Sequence, residues 1–261
     1  DSLCGFAYCL VMLTLANLEA ALERVSRKNG NPGSDGVTIE AFSTRRNLVA
    51  LVTEIEANAY RTLPAKTFKF PKPEGGFRTI SVLCVRDRVV HCALAAAIST
   101  MAEEQLSDHT HAYRPRRSCR TAADVIRGAN LEWLAVGDVA AYYDNIGHSA
   151  LKRAIESVVN ADFTDLTMAC ISPLSSVGIP QGSSLSPVLS NIYLDQFDRD
   201  MAAIGPYVRY SDNFAVACKS KGCAETALTE AGILLATRGL SLNGKSGAVQ
   251  TRGSVFLGET L

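Results

Sequence analysis

Residues 207–218 read YVRYSDNFAVAC, two β-rich segments on either side of the tripeptide Ser211-Asp212-Asn213. Aromatic and β-branched residues are enriched in strands, whereas Ser, Asp and Asn favour turns. The segment therefore predicts a β-hairpin that carries Asp212 at its tip. Most turn aspartates are structural, so this hairpin alone does not indicate a function.

A second aspartate ends an apolar run upstream. Residues 133–139 read WLAVGDV, which is typical of a buried strand that ends at Asp138. Helices are predicted over 149–159 and 186–203, the second with Pro187 in its first turn. The order strand, helix, helix, hairpin indicates an α+β fold in which Asp138 and Asp212 lie on adjacent strands.

The N-terminal half contains a different set of elements. Apolar spacing predicts a helix over 15–28, ended by the turn residues 29–36, and a second helix over about 38–59. A hairpin around a Pro/Gly tip is predicted over 67–82, followed by an apolar helix over 86–102.

Composition excludes several classes of protein. The longest apolar run, residues 3–16, is too short to span a bilayer and lacks the basic flank of a secretory signal. The eight cysteines form no CxxC pair and the four histidines complete no zinc spacing, so reduced thiols in a cytoplasmic protein are expected.

Charge is unevenly distributed although the net charge is zero. Residues 61–120 contain 11 Lys and Arg against 5 Asp and Glu, and the rest of the chain is correspondingly acidic. A basic region beside an acidic region suits a protein that binds phosphates with one part and cations with the other. A solvated charged face is the alternative.

Several motifs identify a family. Residues 138–146 (DVAAYYDNI) resemble the first palm motif of reverse transcriptases, and residues 178–187 (GIPQGSSLSP) resemble their PQG motif. Residues 191–195 match the helix behind that motif, and residues 210–213 (YSDN) are similar to the YxDD motif. Further stretches match the bacterial group II intron reverse transcriptases in family order, namely 31–38, 71–78, 111–118, 239–246 and 256–258.

The resemblance implies an α+β right-hand polymerase with fingers, a palm and no thumb, in which helices flank an antiparallel palm sheet. Residues 1–130 are expected to form N-terminal helices and fingers, and residues 131–261 the palm, with 149–177 partly returning toward the fingers. The chain ends three residues after 256–258. We therefore expect the thumb to be lost, removed or supplied by another chain.

The resemblance also implies catalytic roles. Asp138 and Asp212 are expected to ligate two Mg²⁺ or Mn²⁺ ions, assisted by the carbonyl of Val139, for in-line nucleotidyl transfer. Asn213 replaces the family's second aspartate and removes one negative charge, so reduced or metal-shifted activity is expected. Lys245 is a candidate acid for the leaving pyrophosphate, with a surface lysine as the alternative.

Substrate contacts follow from the same resemblance. Tyr143 matches the aromatic gate that excludes a ribose 2′-hydroxyl, Gln181 is expected near the nascent base pair, and Lys72 and Arg78 are expected to reach the triphosphate. For Tyr143 the alternative is a core tyrosine, and for Lys72 and Arg78 it is a solvated basic hairpin. Three further basic residues are expected to hold the template backbone: Arg114, Arg116 and Arg117.

The function expected from the resemblance is that of an RNA-directed DNA polymerase from a bacterial retroelement or a domesticated, defence-associated relative. Its expected partners are an RNA template and primer or an RNA/DNA hybrid, deoxynucleoside triphosphates, and a fused or separate thumb, maturase or defence protein, but no membrane. One alternative is an RNA-templated RNA polymerase, which Tyr143 argues against. Another is a silent palm that serves as an RNA-binding scaffold, which Asn213 and the zero net charge favour.

Overall fold

The computed structural model describes residues 13–71 and 75–261. Its helices are α1 Leu15–Arg27, α2 Ile39–Phe42, α3 Arg45–Glu56, α4 Val85–Glu103, α5 Cys119–Ala129, α6 Tyr142–Asn145, α7 His148–Glu156, α8 Ala161–Ile171, α9 Ser186–Tyr193, α10 Asp195–Ala202 and α11 Lys221–Ala236. Its strands are β1 Lys66–Pro71, β2 Phe77–Val82, β3 Trp133–Asp138, β4 Tyr207–Tyr210, β5 Asn213–Cys218, β6 Gly247–Gln250, β7 Val255–Phe256 and β8 Glu259–Thr260.

The chain forms two compact units. The first extends to Ala102 and resumes over Lys152–Val188, and the second comprises Glu103–Leu151 and Leu189–Leu261. The boundary near residue 102 differs from the sequence-based boundary at 130. Helix α5 accounts for the difference, because it packs on β4 and β5 and so belongs with the central sheet of the second unit.

The second unit is built on a four-stranded antiparallel sheet in the order β4-β5-β3-β6. The register places Asp138 opposite Asn213 and Val136 opposite both Ala215 and Gly247. Helices pack on this sheet, among them α5, α10 and α11. The predicted α+β class, with an antiparallel sheet flanked by helices, is confirmed.

Side chains on the two faces of the sheet have different partners because they alternate along each strand. On one face, Leu134 and Ala217 share a buried cluster with Ile126 of α5. On the other face, the Phe214 ring lies over Gly137, where an added Cβ would come within 2.1 Å of the ring. A glycine directly before Asp138 is therefore a packing requirement.

The first unit contains the β1–β2 hairpin, in which Phe70 pairs with Arg78 and Pro71 with Phe77. One predicted helix, over 38–59, is interrupted in the structure. Helix α2 ends at Phe42, and the Thr44 hydroxyl caps α3 by accepting a hydrogen bond from the Asn47 amide at 3.3 Å. The predicted helix over 186–203 is likewise divided, between α9 and α10.

Within the described ranges, none of the helices combines the length and the apolar character needed to cross a membrane.

Two buried histidines predict a loss of stability on acidification. Burial lowers the pKa of His91 to about 3, and burial, with Arg117 and Arg114 adding to it, lowers the pKa of His111 to about 4. Both imidazoles stay neutral in the folded chain, while the unfolded chain binds protons there below about pH 6.5. The unfolding free energy should therefore fall on acidification, by about 2 kcal/mol at about pH 5 for His91 alone.

Urea unfolding at about pH 7 and about pH 5 measures this effect. The His91→Gln variant lacks the imidazole, so its stability should depend on pH less than that of the wild type. Identical pH dependence in the two proteins would contradict the prediction.

Candidate active site

The two candidate metal-binding aspartates are backbone neighbours in the second unit. Asp138 ends β3 and is paired with Asn213, the first residue of β5. One residue further, the Val139 amide donates to the Asp212 carbonyl at 2.9 Å. The two inner strands of the sheet therefore bring both aspartates to the same end.

A loop over residues 241–246 is fixed to the same strand end. The Ala140 amide donates to the Ser241 carbonyl at 2.8 Å, and the Asn243 amide donates to the Asp138 carbonyl at 2.8 Å. The Ser246 hydroxyl accepts from the Asp138 amide at 3.1 Å. Lys245, the candidate proton donor, is an exposed residue of this loop. Ser246 lies in the matched segment 239–246, but its bond to Asp138 was not predicted from the sequence.

Asn213 changes the chemistry of the aspartate pair. Its side-chain amide donates to a carboxylate oxygen of Asp212 at 3.1 Å, so the position supplies a donor where a second aspartate would supply an acceptor. Within residues 13–71 and 75–261, no group of three or more His, Cys, Asp or Glu side chains is arranged to hold a metal ion. The carboxylates of Asp138 and Asp212 and the carbonyl of Val139 would supply oxygen donors only, which is the donor type that Mg²⁺ and Mn²⁺ prefer. The donor types therefore fit such an ion.

Tyr143, the candidate sugar gate, lies in α6 close to this end of the sheet. Its phenol oxygen accepts a hydrogen bond from the Ser190 hydroxyl at 3.4 Å. Burial raises the pKa of Tyr143, and Tyr113 and the Asp212 carboxylate raise it further, although the Ser190 bond lowers it.

A buried ion pair supports the turn that carries Asp212. Arg209 and Asp198 are fully buried, and the Arg209 Nε and Nη2 atoms each donate to the Asp198 carboxylate at 2.7 Å. The remaining Nη1 donates to the carbonyl of Ser211 at 2.9 Å. Ser211 has a positive φ of 60°, which is uncommon for a residue other than glycine. Arg209 thus stabilises a strained residue directly before Asp212.

Arg114 does not have the environment expected of a template-binding residue. It is buried, and all five of its N–H donors are used within the second unit. They go to the Glu103 side chain and carbonyl at 3.0–3.1 Å and to the Ser107 and Thr110 carbonyls at 2.6 and 3.2 Å. These bonds give Arg114 a structural role, and its contact with a template phosphate stays a prediction that the surroundings disfavour, because binding a phosphate would require breaking several of them.

The two neighbouring arginines differ from each other. Arg117 donates to the Asp108 carboxylate at 2.8 Å and to the Asp108 carbonyl. Arg116 is exposed and has a positive φ of 60°. Of the three predicted template contacts, Arg116 is the one whose surroundings best suit a phosphate.

The first unit carries the remaining candidate residues. The Gln181 carbonyl accepts from the Ser81 amide at 2.7 Å, which fixes the PQG loop to strand β2. Gly182 has a φ of 115°, and a Cβ there would come within 2.4 Å of the Ser81 carbonyl oxygen. Arg78 is exposed on β2. Lys72 lies outside the described residues.

A sequence comparison decides the family. A model of the family "Reverse transcriptase (RNA-dependent DNA polymerase)" matches residues 70–261. The chain belongs to this family. The resemblance to group II intron reverse transcriptases and the right-hand polymerase fold that it implied are confirmed.

Curated relatives of this reverse transcriptase come from bacteria and fungi. The chain is 31% identical to protein YkfC of Escherichia coli over 204 residues, which cover 69% of the chain and 53% of YkfC. It is 28% identical to a putative COX1/OXI3 intron 2 protein of Saccharomyces cerevisiae, over 72% of the chain and 24% of that protein. It is 25% identical to the group II intron-encoded protein LtrA of Lactococcus lactis, over 62% of the chain and 29% of LtrA. The chain thus spans about half the length of YkfC and less of the other two.

Solved structures share the fold of this reverse transcriptase. Telomerase of Candida tropicalis, truncated from its C-terminal domain, aligns with a TM-score of 0.56 and 13% identity over 79% of the chain and 56% of that structure. Telomerase of Candida albicans aligns with a TM-score of 0.53, also at 13% identity, over 73% of the chain and 43% of that structure. At such low identity the likeness concerns the fold alone.

Proposed function

We propose that this reverse transcriptase synthesises DNA on an RNA template by metal-dependent nucleotidyl transfer. The observation that carries the proposal is the pairing of β3 with β5, which brings Asp138 next to Asn213 and the Asp212 carbonyl next to the Val139 amide. The expected partners are an RNA template with a primer and deoxynucleoside triphosphates. Membership of the family supports this choice of template and product.

Asp138, Asp212 and the Val139 carbonyl would hold the divalent ions. When bound, two such ions activate the attacking hydroxyl and offset the charge that develops on the phosphates. Asp138 and Asp212 supply the negative charge at the site, and Asn213 orients the Asp212 carboxylate through its amide. Lys245, on the loop fixed to Asp138, would give a proton to the leaving pyrophosphate.

Other side chains would select and hold the substrates. The Tyr143 ring presents an apolar face that penalises a ribose 2′-hydroxyl, because a hydroxyl buried there would lose its hydrogen bonds to water. From the resemblance to the family, Gln181, Arg78 and Lys72 would contact the nucleotide. Arg116 would hold the template backbone through a phosphate.

Primer extension tests the proposal, and Asn213 gives the sharpest comparison. On a poly(rA) template with an oligo(dT) primer, the Asn213→Asp variant should extend faster with Mg²⁺, by about tenfold, because a charged ligand binds this ion better than an amide does. The difference in extension rate between Asn213→Asp and the wild type should be smaller with Mn²⁺. Asn213→Ala is the control that removes the amide without adding charge, and it should not gain activity.

A silent RNA-binding scaffold is the second candidate function. The bond from the Asn213 amide to the Asp212 carboxylate favours it, because that amide replaces a possible metal ligand. If neither the wild type nor Asn213→Asp extends a primer with either metal, while both still bind the hybrid, the scaffold is the correct function.

Tyr143→Ala should relax sugar selection. Removing the ring leaves room for a 2′-hydroxyl, so the preference for deoxyribonucleotides over ribonucleotides should fall by at least about tenfold, since a lost steric or desolvation penalty is worth 1–3 kcal/mol. The kcat/KM ratio for dTTP and UTP measures this preference. Tyr143→Phe keeps the ring and should keep the preference. Unchanged discrimination in Tyr143→Ala would refute the gate.

A further inference from the structure

A chain of hydrogen bonds runs through the core of the first unit to the PQG loop. The fully buried His91 ring contacts the Ser183 hydroxyl through Nδ1 at 2.7 Å and the Thr62 hydroxyl through Nε2 at 3.0 Å. Thr62 contacts the Tyr60 hydroxyl at 3.2 Å, and Tyr60 donates to the Asp87 carboxylate at 2.8 Å. Three polar side chains, Tyr60, Thr62 and His91, therefore connect the buried Asp87 carboxylate with Ser183 of the loop.

Each hydroxyl has one proton, which determines the donor and the acceptor in every hydrogen bond of this series. Tyr60 has one hydroxyl proton and gives it to Asp87, so the contact between Thr62 and Tyr60 needs the proton of Thr62. His91 must then donate from Nε2 to Thr62, which leaves Nδ1 as the acceptor for the Ser183 hydroxyl. Burial lowers the pKa of His91, which keeps the imidazole neutral, as this arrangement requires. Every member of the chain then has its hydrogen bond.

Ser183 connects this series of hydrogen bonds to the backbone of the loop. Its hydroxyl oxygen also accepts from the Leu185 amide at 3.1 Å, just before helix α9. On the other side, the Gln181 carbonyl accepts from the Ser81 amide at 2.7 Å. His91 and strand β2 therefore fix the segment 181–185 from two directions.

Polar networks of this kind are costly to bury unless each group is satisfied. An apolar side chain at position 91 of α4 could pack in the core without needing hydrogen-bond partners. It could not form a hydrogen bond with Ser183. We propose that His91 is a positioning residue that holds the PQG loop, and with it Gln181, in the conformation that receives the incoming nucleotide. The role of Gln181 in binding the nucleotide rests on the proposed function, whereas the positioning of the loop by His91 does not.

Three substitutions distinguish the effects of the two hydrogen bonds that the His91 ring makes. His91→Asn can place an acceptor oxygen near the Nδ1 position, toward Ser183, whereas His91→Gln can place a donor nitrogen near the Nε2 position, toward Thr62. His91→Leu has neither group. All three lose some stability, so stability alone does not distinguish them, but only His91→Asn preserves the bond to the loop.

Amide hydrogen exchange measures the loop without any substrate. Exchange at the Leu185 amide should rise about tenfold in His91→Leu and His91→Gln, the effect of losing one hydrogen bond, and less in His91→Asn. Ser183→Ala should raise it as well. Ser184→Ala is the matched control, because Ser184 is an exposed residue of the same loop. Wild-type exchange rates in His91→Leu would overturn the positioning role.

Nucleotide affinity measures the consequence for the site. Titration of dTTP onto the protein bound to poly(rA)/oligo(dT) needs no turnover, and KM and kcat follow from primer extension. In His91→Leu and His91→Gln the Kd and KM for dTTP should rise about tenfold while kcat changes little, and His91→Asn should restore much of the affinity. A faster-exchanging loop with unchanged dTTP affinity would overturn the proposal. If the wild type does not extend at all, the proposed function fails, but the exchange data still decide whether His91 positions the loop.

Discussion

Replacing Asp212 by alanine is expected to lower kcat for primer extension by at least about 10³-fold. A carboxylate that holds a catalytic ion contributes several kcal/mol to the transition state, and each 1.4 kcal/mol is worth about a factor of ten. Because Asn213 already replaces one possible ligand, Asp212 and Asp138 supply the negative charge of the site between them. Asp138→Ala should therefore have an effect of similar size.

The assay compares these variants with the wild type on poly(rA)/oligo(dT) in Mg²⁺ and in Mn²⁺. Asp165→Ala is a suitable control, since Asp165 is an exposed carboxylate of α8 that pairs with Lys152 at 3.1 Å in a surface ion pair. Affinity for the hybrid should be retained in all variants, which separates loss of chemistry from loss of folding. Extension by Asp212→Ala at a rate within about threefold of the wild type would exclude the proposed metal site.

Breaking the buried ion pair should have the largest effect on stability. Arg209→Met leaves the Asp198 carboxylate buried without its partner, which costs about 3–5 kcal/mol of unfolding free energy. Asp198→Leu should cost a similar amount, because it leaves the guanidinium unpaired. The double variant removes both charges and should recover much of the loss.

Urea unfolding of the wild type, both single variants and the double variant measures the coupling between the two positions. Arg199→Met with Asp195→Leu is a matched control, since that pair has a similar distance of 2.9 Å but a half-exposed arginine, and its coupling should be below about 1 kcal/mol. Additive losses at positions 198 and 209 would show that the buried pair is not a unit.

Local sequence patterns predicted the elements that matter most for the site. The strand ending at Asp138 and the hairpin carrying Asp212 were recognisable because a short apolar run followed by turn residues is a local signal. Their pairing as inner strands also agrees with the prediction that adjacent strands bring the two aspartates together. By contrast, the break between α2 and α3 depends on one capping threonine, Thr44, inside an otherwise helical pattern.

Residue roles that depend on tertiary contacts could not be predicted. Arg114 was assigned to the template because sequence shows its charge, whereas its role depends on four carbonyl and carboxylate groups that only the fold brings together. Arg209 was overlooked because the sequence does not show that it pairs with Asp198, which lies on helix α10. His91 and Ser183 are 92 residues apart, and no pattern in the sequence links them.

The Asp198–Arg209 pair also constrains how this sequence can drift. A single substitution at either position leaves a buried charge without its partner, so each evolutionary path through one change passes through a poorly folded intermediate. Neutral drift should therefore preserve both residues or replace both, even though neither is a candidate metal ligand. Because Arg209 also bonds the Ser211 carbonyl, a lineage that lost the pair would need a different residue to support the turn before Asp212.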